Sequence, residues 1–494
     1  IALVVLAASF YYLPWLLRSI ANFMYQYPYM RKLPGPKGLP FIGSIMELTG
    51  DSTVPLKFWA REAEKARLQG EGIFTTTTLG RNITFPINGE MLKLICESNE
   101  ELMKGKDYEF LRPWLGNGIV FAVGQPWKDR RKSYTPLFHN RAMLEGYLDT
   151  FNKHSRIMTE ILEENVGKTV DMYLMLKRIA LDNICDSSLG FDFGVQRNPE
   201  HPYTKSVDTF THYEQRYINE PQMWISLIWY AFYHREYKEA LDIMNTLTKE
   251  VLENRMRRVK AGEVDLEAEK RPLIDHFIAQ YEKGDWTMEE VHLELNSAIF
   301  GGHDSTSTTL TWTFWALATQ PELQQRCYEE IREIFGDDSE RECTHDDMNQ
   351  MKFTERFIKE SMRMFTPVPV VERELQADFQ MGKYLLPKGS EIFIAGHLVH
   401  HNPDIYPNPS TFDPDRFLSE NIANRSPYEY IPFSAGARNC LGQKFALHEI
   451  KTIISWALRK FSFHTHHKLL DQECSIEVVN KPTLGCNLRV ERRI

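Results

Sequence analysis

The stretch Phe433-Ser434-Ala435-Gly436-Ala437-Arg438-Asn439-Cys440-Leu441-Gly442 decides how the chain is read. It sets one cysteine between two glycines and beside an arginine, where a loop meets a helix that the apolar spacing predicts from near Gln443. A helix N-terminus offers unpaired amide donors and the positive end of a dipole, and both lower a thiol pKa. Glycines let a flat group approach the backbone where a Cβ would collide. A thiolate held this way is suited to ligating a metal.

Phe433, Gly436, Arg438, Cys440 and Gly442 fill the pattern Phe-x-x-Gly-x-Arg-x-Cys-x-Gly, which resembles the haem-binding signature of the cytochrome P450 superfamily at every fixed position. The resemblance implies a mainly α fold with a small β region, in one large haem-thiolate domain. It makes Cys440 the iron ligand and its four signature neighbours haem contacts.

Upstream, Phe412-Asp413-Pro414-Asp415-Arg416-Phe417 and Glu360-Ser361-Met362-Arg363 follow the family's order. An acid and an arginine at i and i+3 can pair on a helix, and such a pair alone says little. Read with the signature, Glu360, Arg363 and Arg416 resemble the family's structural Glu-Arg-Arg network. Trp127-Lys128-Asp129-Arg130-Arg131 resembles its Trp-x-x-x-Arg helix. Buried carboxylates need paired partners, so the resemblance assigns Trp127, Arg131, Arg373 and Arg438 to the haem propionates.

Gly301-Gly302-His303-Asp304-Ser305-Thr306 interrupts a long apolar helical run. A mid-helix glycine costs about 1 kcal/mol relative to alanine, and hydroxyls compete for backbone bonds, so the helix is expected to open locally. In the family this place holds an acid followed by an alcohol that deliver protons. Here Asp304 and Ser305 fill it, with serine in place of the usual threonine and Thr306 as a supporting hydroxyl.

The segment from Tyr430 to Ala446, with Phe300 to Asp304, resembles the family 4 branch, whose members are typically fatty-acid and eicosanoid omega-hydroxylases. Many of these carry a glutamate at the place of Gly301 that esterifies the haem. This chain has none, so haem b without an ester link is expected. Phe300, Gly301, Val368 and Val370, with the loop Phe110 to Trp114, are the expected substrate lining.

The expected activity is insertion of one oxygen atom of O2 into a lipophilic substrate: a fatty acid, a hormone-like lipid or a xenobiotic. No flavin or dinucleotide fingerprint accompanies the haem motif, so electrons are expected from NADPH through NADPH-cytochrome P450 reductase, with cytochrome b5 as a second candidate donor. Lys128, Arg130, Lys132 and Lys444 are expected as a basic landing patch. Two other readings stay open. One is a haem-thiolate isomerase or dehydratase acting on lipid peroxides, and the other a membrane-tethered haem carrier or sensor.

At the N-terminus no charge occurs from Ile1 to Leu17, which reads as a membrane anchor over 1–30, followed by a proline-rich hinge over 31–40 and the monooxygenase domain over 41–494. With that anchor the expected location is the endoplasmic reticulum membrane, the catalytic domain facing the cytosol. The aromatics from Phe210 to Tyr233, among them Tyr213, Tyr217, Trp224, Trp229 and Phe232, suit either a core or a membrane interface.

Across 494 residues the net charge is −9, which gives no general electrostatic basis for binding nucleic acid. Seven scattered cysteines without a CxxC pair point to a reducing compartment. The His397-His400-His401 and His464-His466-His467 clusters lack a catalytic zinc pattern and read as polar surface or strand residues.

Overall fold

The computed structural model describes residues 2–220, 223 and 225–493. Trp224 lies outside the described residues. The chain forms two compact units. One comprises residues 1–109, 368–411 and 424–439, and the other 110–367, 412–423 and 440–494. The units therefore interleave in sequence, and one boundary falls inside the signature stretch, between Asn439 and Cys440.

The first unit holds most of the strand structure. Ile73–Thr78 and Arg81–Pro86 form an antiparallel hairpin, continued by Glu391–Ile394 in parallel and Val371–Glu374 antiparallel to that. Alternating residues such as Phe74 and Phe85 stack at 4.6 Å on one face. Ile73, Leu92, Ile95, Ile392, Ile394 and Ile431 share its core.

Helix Ala2–Met30 runs through Pro14 and Pro28. Its last turns belong to this unit: Phe23, Gln26 and Met30 are buried, and the Gln26 amide donates to the Lys388 carbonyl and accepts from Asn82. Among the described residues, no helix is long and apolar enough to cross a membrane. The expected anchor is not supported by an apolar span among the described residues. The segment 31–40 is held by contacts of its own. Leu33 is buried, the Pro34 carbonyl accepts from the Thr75 amide, and a Cβ on Gly35 would collide with the Thr75 carbonyl.

The second unit is helical. Its axis is Met288–Thr319, started by a reciprocal capping box between Thr287 and Glu290 and buried along most of its length. Met172–Leu189 packs against it most extensively, and Lys352–Met364 and Gln443–Lys460 also lie on it. Trp312 stacks on Phe365 at 4.1 Å. Small sheets close the unit: Thr169–Asp171 and Phe461–His464 flank Asn487–Arg492, and Cys474–Ile476 pairs with Asn480–Pro482. Further helices are Arg141–Glu163, His234–Lys260 and Pro321–Phe335, and the helix expected from near Gln443 is Gln443–Lys460. Lys260 ends a helix, and the charged stretch beyond it to Arg271 is irregular.

Candidate functional site

Cys440 lies just before helix Gln443–Lys460, whose N-cap is Gly442. Phe445, on that helix's first turn, packs edge-on against Phe151 at 4.8 Å and Tyr147 at 5.2 Å, which fixes the helix against Arg141–Glu163. The residue keeps accessible surface, yet protein crowds its sulfur. Burial raises the thiol pKa, and the Gly442 amide and the Arg131 guanidinium pull it back. The protein groups alone thus do not lower the pKa as the sequence led us to expect. A coordinated metal ion deprotonates a thiol outright and would complete what the amide and the arginine begin. In the same unit Trp127 is buried on helix Gly124–His139 and Arg131 is half-buried one turn on.

The remaining signature residues lie in the first unit. Gly436, at φ +71°, sits where a Cβ would be 1.7 Å from the Cys96 carbonyl oxygen. This glycine admits the end of helix Gly89–Cys96, while Gly442 has open space where a Cβ would be. Phe433 and Arg438 are half-buried. Arg373 on strand Val371–Glu374 is 3% exposed, so it is not a solvent-facing arginine. Burial lowers its pKa, opposed by Tyr108 and Cys96.

Lys104 was invisible in the sequence. Burial and then the like charges of Arg373 and Arg438 push its pKa well below the ordinary lysine value, and Glu372 does not offset them. Its ammonium lies 4.6 Å over the Tyr108 ring. Three cations gathered against their own repulsion form a cradle for a strong anion.

On Met288–Thr319 the structure separates the expected proton-delivery residues by face. Gly301 is exposed and Ser305 half-buried on one side, while Asp304 and Thr306 are buried. The helix does not open. It is continuous through this stretch, and the Ser305 hydroxyl donates to the Gly301 carbonyl at 2.8 Å, supplementing the ladder rather than diverting it. Gly302 has a packing reason: a Cβ there would meet Ile184 Cδ1 at 2.4 Å, so it permits the close crossing of Met172–Leu189. Gly301 faces open space, in keeping with its place on the accessible side.

Glu360, Arg363 and Arg416 come together. Arg363 donates to Glu360 through two bonds of 2.7 and 2.8 Å, and Arg416 Nε is 3.5 Å from the same carboxylate. The Asp413 amide completes the set at 2.8 Å. Burial raises the Glu360 pKa, opposed by these partners.

Phe300 packs edge-on against Trp114 at 5.8 Å, and Val368 and Val370 are half-buried in the other unit. The landing patch is corrected at one residue. Arg130 is buried and tied to Glu290 at 2.8 Å and Glu294 at 2.6 Å, leaving Lys128, Lys132 and Lys444 exposed. His400 accepts the Ile431 amide, a structural role. His154, Asp182 and Asp192 also meet. The two acids already hold loop amides at Val195, Gln196 and Gly194, so the group clamps that loop.

The model of the Cytochrome P450 family matches residues 33–485. The chain belongs to the cytochrome P450 family. Cytochrome P450 4V2 of Homo sapiens is 32% identical over 82% of this chain and 79% of its own length. Cytochrome P450 4c21 of Blattella germanica is 31% identical over 94% of both chains, and Cytochrome P450 4c3 of Drosophila melanogaster 31% over 94% and 90%. Its fold matches the crystal structure of the cytochrome P450DA heme domain with a TM-score of 0.79 at 23% identity, over 94% of this chain and 98% of that one.

The protein is thus a P450 monooxygenase, a haem-iron oxidoreductase that draws electrons from a redox partner. Each unit carries donors of the kind the cofactor takes: the second a cysteine thiol at a helix start, suited to the iron, and the first a cluster of basic residues around Arg373, suited to the two propionates. A second residue escaped the sequence reading. Glu449, on the signature helix, accepts from Asn183 at 2.9 Å, and burial pushes its pKa up to about 8.

Proposed function

We propose that this P450 is a membrane-associated haem-thiolate monooxygenase that places one oxygen atom of O2 into a lipophilic substrate, a fatty acid, hormone-like lipid or xenobiotic. Electrons come from NADPH through NADPH-cytochrome P450 reductase, with cytochrome b5 as a second donor. The cofactor is haem b without an ester link, since Gly301 offers no carboxylate. Cys440 would ligate the iron, and Arg438, Arg373, Lys104, Trp127 and Arg131 would hold the propionates. When bound, the haem supplies the activation and cleavage of dioxygen.

The protein's own part is proton supply and exclusion of water. The observation that carries this reading over a peroxide isomerase is the acid-alcohol pair. A buried Asp304 adjoins Ser305, whose hydroxyl lies on the accessible side of the helix with Gly301. Because the two side chains lie on different faces of the helix, Asp304 would pass a proton to Ser305 Oγ through water as that hydroxyl gives up its own. An isomerase that consumes no electrons has no use for such a relay.

The lipophilic class is supported by the aromatic set in the second unit. Phe110 meets Tyr217 at 4.8 Å, Tyr237 at 4.9 Å and Trp229 at 5.6 Å, and Trp114 meets Phe210 at 5.0 Å. Rings at these separations favour apolar ligands. Association with the cytosolic face of the endoplasmic reticulum is supported by exposed apolar residues. These are Leu13, Leu17 and Met24 on the first helix, and Leu227, Tyr230 and Phe232 on Ser226–Phe232.

Purified protein reconstituted with reductase and NADPH is expected to hydroxylate fatty acids in proportion to NADPH consumed. Turnover of a lipid hydroperoxide without reductase, and no NADPH-dependent product, would instead establish the isomerase. Flotation with phosphatidylcholine vesicles tests the membrane association, and protein remaining entirely in the unbound fraction would contradict it.

A further inference from the structure

In the three-stranded sheet of the second unit, Arg489 stands opposite Thr169 on one neighbouring strand and His464 on the other. Residues paired across a sheet in this way point to the same face, and so does Asn487, two positions before Arg489. The alternate residues Leu488, Val490 and Phe463 are buried on the opposite face. The sheet thus carries a row of polar side chains, and that row lines a cavity of about 340 Å³. The turn Thr465-His466-His467 and Leu484 supply further wall, and Trp315, near the end of Met288–Thr319, also lines it.

Two properties set what this cavity can hold. The first is charge. No aspartate or glutamate lines it, and its chargeable groups are Arg489, His464, His466 and His467, in a chain whose net charge is −9. Two acids outside the lining hold these groups by an edge. Glu491 accepts from Arg489 Nε at 2.9 Å and lies 3.6 Å from His464 Nε2, and Asp471 lies 3.7 Å from His467 Nδ1. The Arg489 side chain is still 60% exposed, so a ligand can reach its guanidinium. The second property is a run of flat rings. His466 lies against His467 at 4.0 Å and His467 against Trp315 at 5.7 Å. The Trp315 N–H is spent on the Leu469 carbonyl, so toward the cavity this residue offers ring surface. The histidines do not converge as metal ligands: among the described residues, the side chains that meet at that spacing are His154, Asp182 and Asp192.

We propose that this cavity binds a small aromatic carboxylate, with its anionic end on the Arg489 guanidinium and the Thr169 hydroxyl and its ring against His467 and Leu484. A planar guanidinium matches a carboxylate with two parallel bonds, and a stack of rings accepts another. The volume far exceeds what an inorganic anion fills and lies within the range of small-molecule sites. The site is separate from the haem-thiolate reading and stands or falls without it.

The test uses full-length, haem-loaded protein dialysed to equilibrium against 2-naphthoate, with an aryl imidazole present to keep the acid out of the substrate cavity. Saturable binding is expected. Arg489→Met is expected to weaken it by about tenfold or more, with Arg489→Lys in between because it keeps the charge and loses the fork. Leu484→Asp, which sets a carboxylate into the wall, is expected to weaken it by about tenfold. Both side chains are exposed, so neither change empties the core. The uncharged 2-naphthalenemethanol is expected to bind about tenfold less tightly than the acid. No saturable binding up to about 1 mM, or equal affinity in wild type and Arg489→Met, would overturn the proposal. Inorganic phosphate displacing 2-naphthoate as readily as benzoate does would overturn the assignment of an aromatic ligand. Should Arg489→Met lose its fold, Leu484→Asp and the uncharged alcohol decide, and undiminished binding in both would count against the site.

Discussion

Two buried charge clusters lie in the same helical unit and are built on opposite plans. Around Glu360 every charge is matched. One carboxylate takes two bonds from Arg363, a third from the Asp413 amide and an ion pair from Arg416, all at close range. Around Asp304 one carboxylate oxygen has no hydrogen bond, and the groups that act on it come from separate elements: Lys177 of helix Met172–Leu189, which bonds Asp208, and Lys481 of strand Asn480–Pro482, which pairs with Glu477. A saturated cluster has no proton to give and one geometry to keep, which suits a lock on the fold. An unsaturated cluster with a link to water can change protonation and return, which suits delivery.

The contrast can be broken most severely at the lock. Arg363→Ala leaves Glu360 buried and uncompensated, so stability is expected to fall by about 3 to 5 kcal/mol. Urea denaturation would show it, and a loss below about 1 kcal/mol would mean the cluster is ornamental.

Next in size is a pH effect at Glu449, a third buried acid that belongs to neither plan. Its carboxyl titrates near 8 in the folded protein against an ordinary 4.5. The folded state therefore holds the proton after the unfolded chain has released it. The stability this contributes is fully present below about 4.5 and is lost as pH rises through about 8, a change on the order of a few kcal/mol. Melting temperature measured across that window should fall for the wild type and flatten for Glu449→Gln.

At the delivery cluster the expected effects are kinetic. Asp304→Asn should lower product per NADPH by about tenfold or more while leaving haem uptake intact. Ser305→Ala should lower it by about threefold, and Thr306→Ala, whose side chain is buried, should leave it near the wild-type value. Equal coupling in the two alanine variants would erase the distinction between the helix faces.

The contrast also marks what a linear sequence discloses. Cys440, its glycines and the Glu360-to-Arg363 spacing were legible because each lies within a few residues of its partners. The long helices were legible from their apolar period. Lys104, Lys177, Lys481 and Glu449 were not, since each gains its meaning from groups far away in sequence that packing brings near. Arg130 misled for the same reason: beside exposed Lys128 it reads as surface, yet Glu290 and Glu294 bury it. Gly302 suggested a break in a helix and instead made room for Ile184. The charge-free start suggested a span, which no apolar span among the described residues supports, and the last turns of the helix it opens bury Gln26 against Asn82 and the Lys388 carbonyl.

The central claim is that the Cys440 sulfur binds haem iron as a thiolate. The reduced carbon monoxide difference spectrum of the wild type against Cys440→Ser tests it most directly. The wild type is expected to give the long-wavelength band of sulfur ligation and the serine variant to lose it. An identical spectrum in both proteins would contradict it.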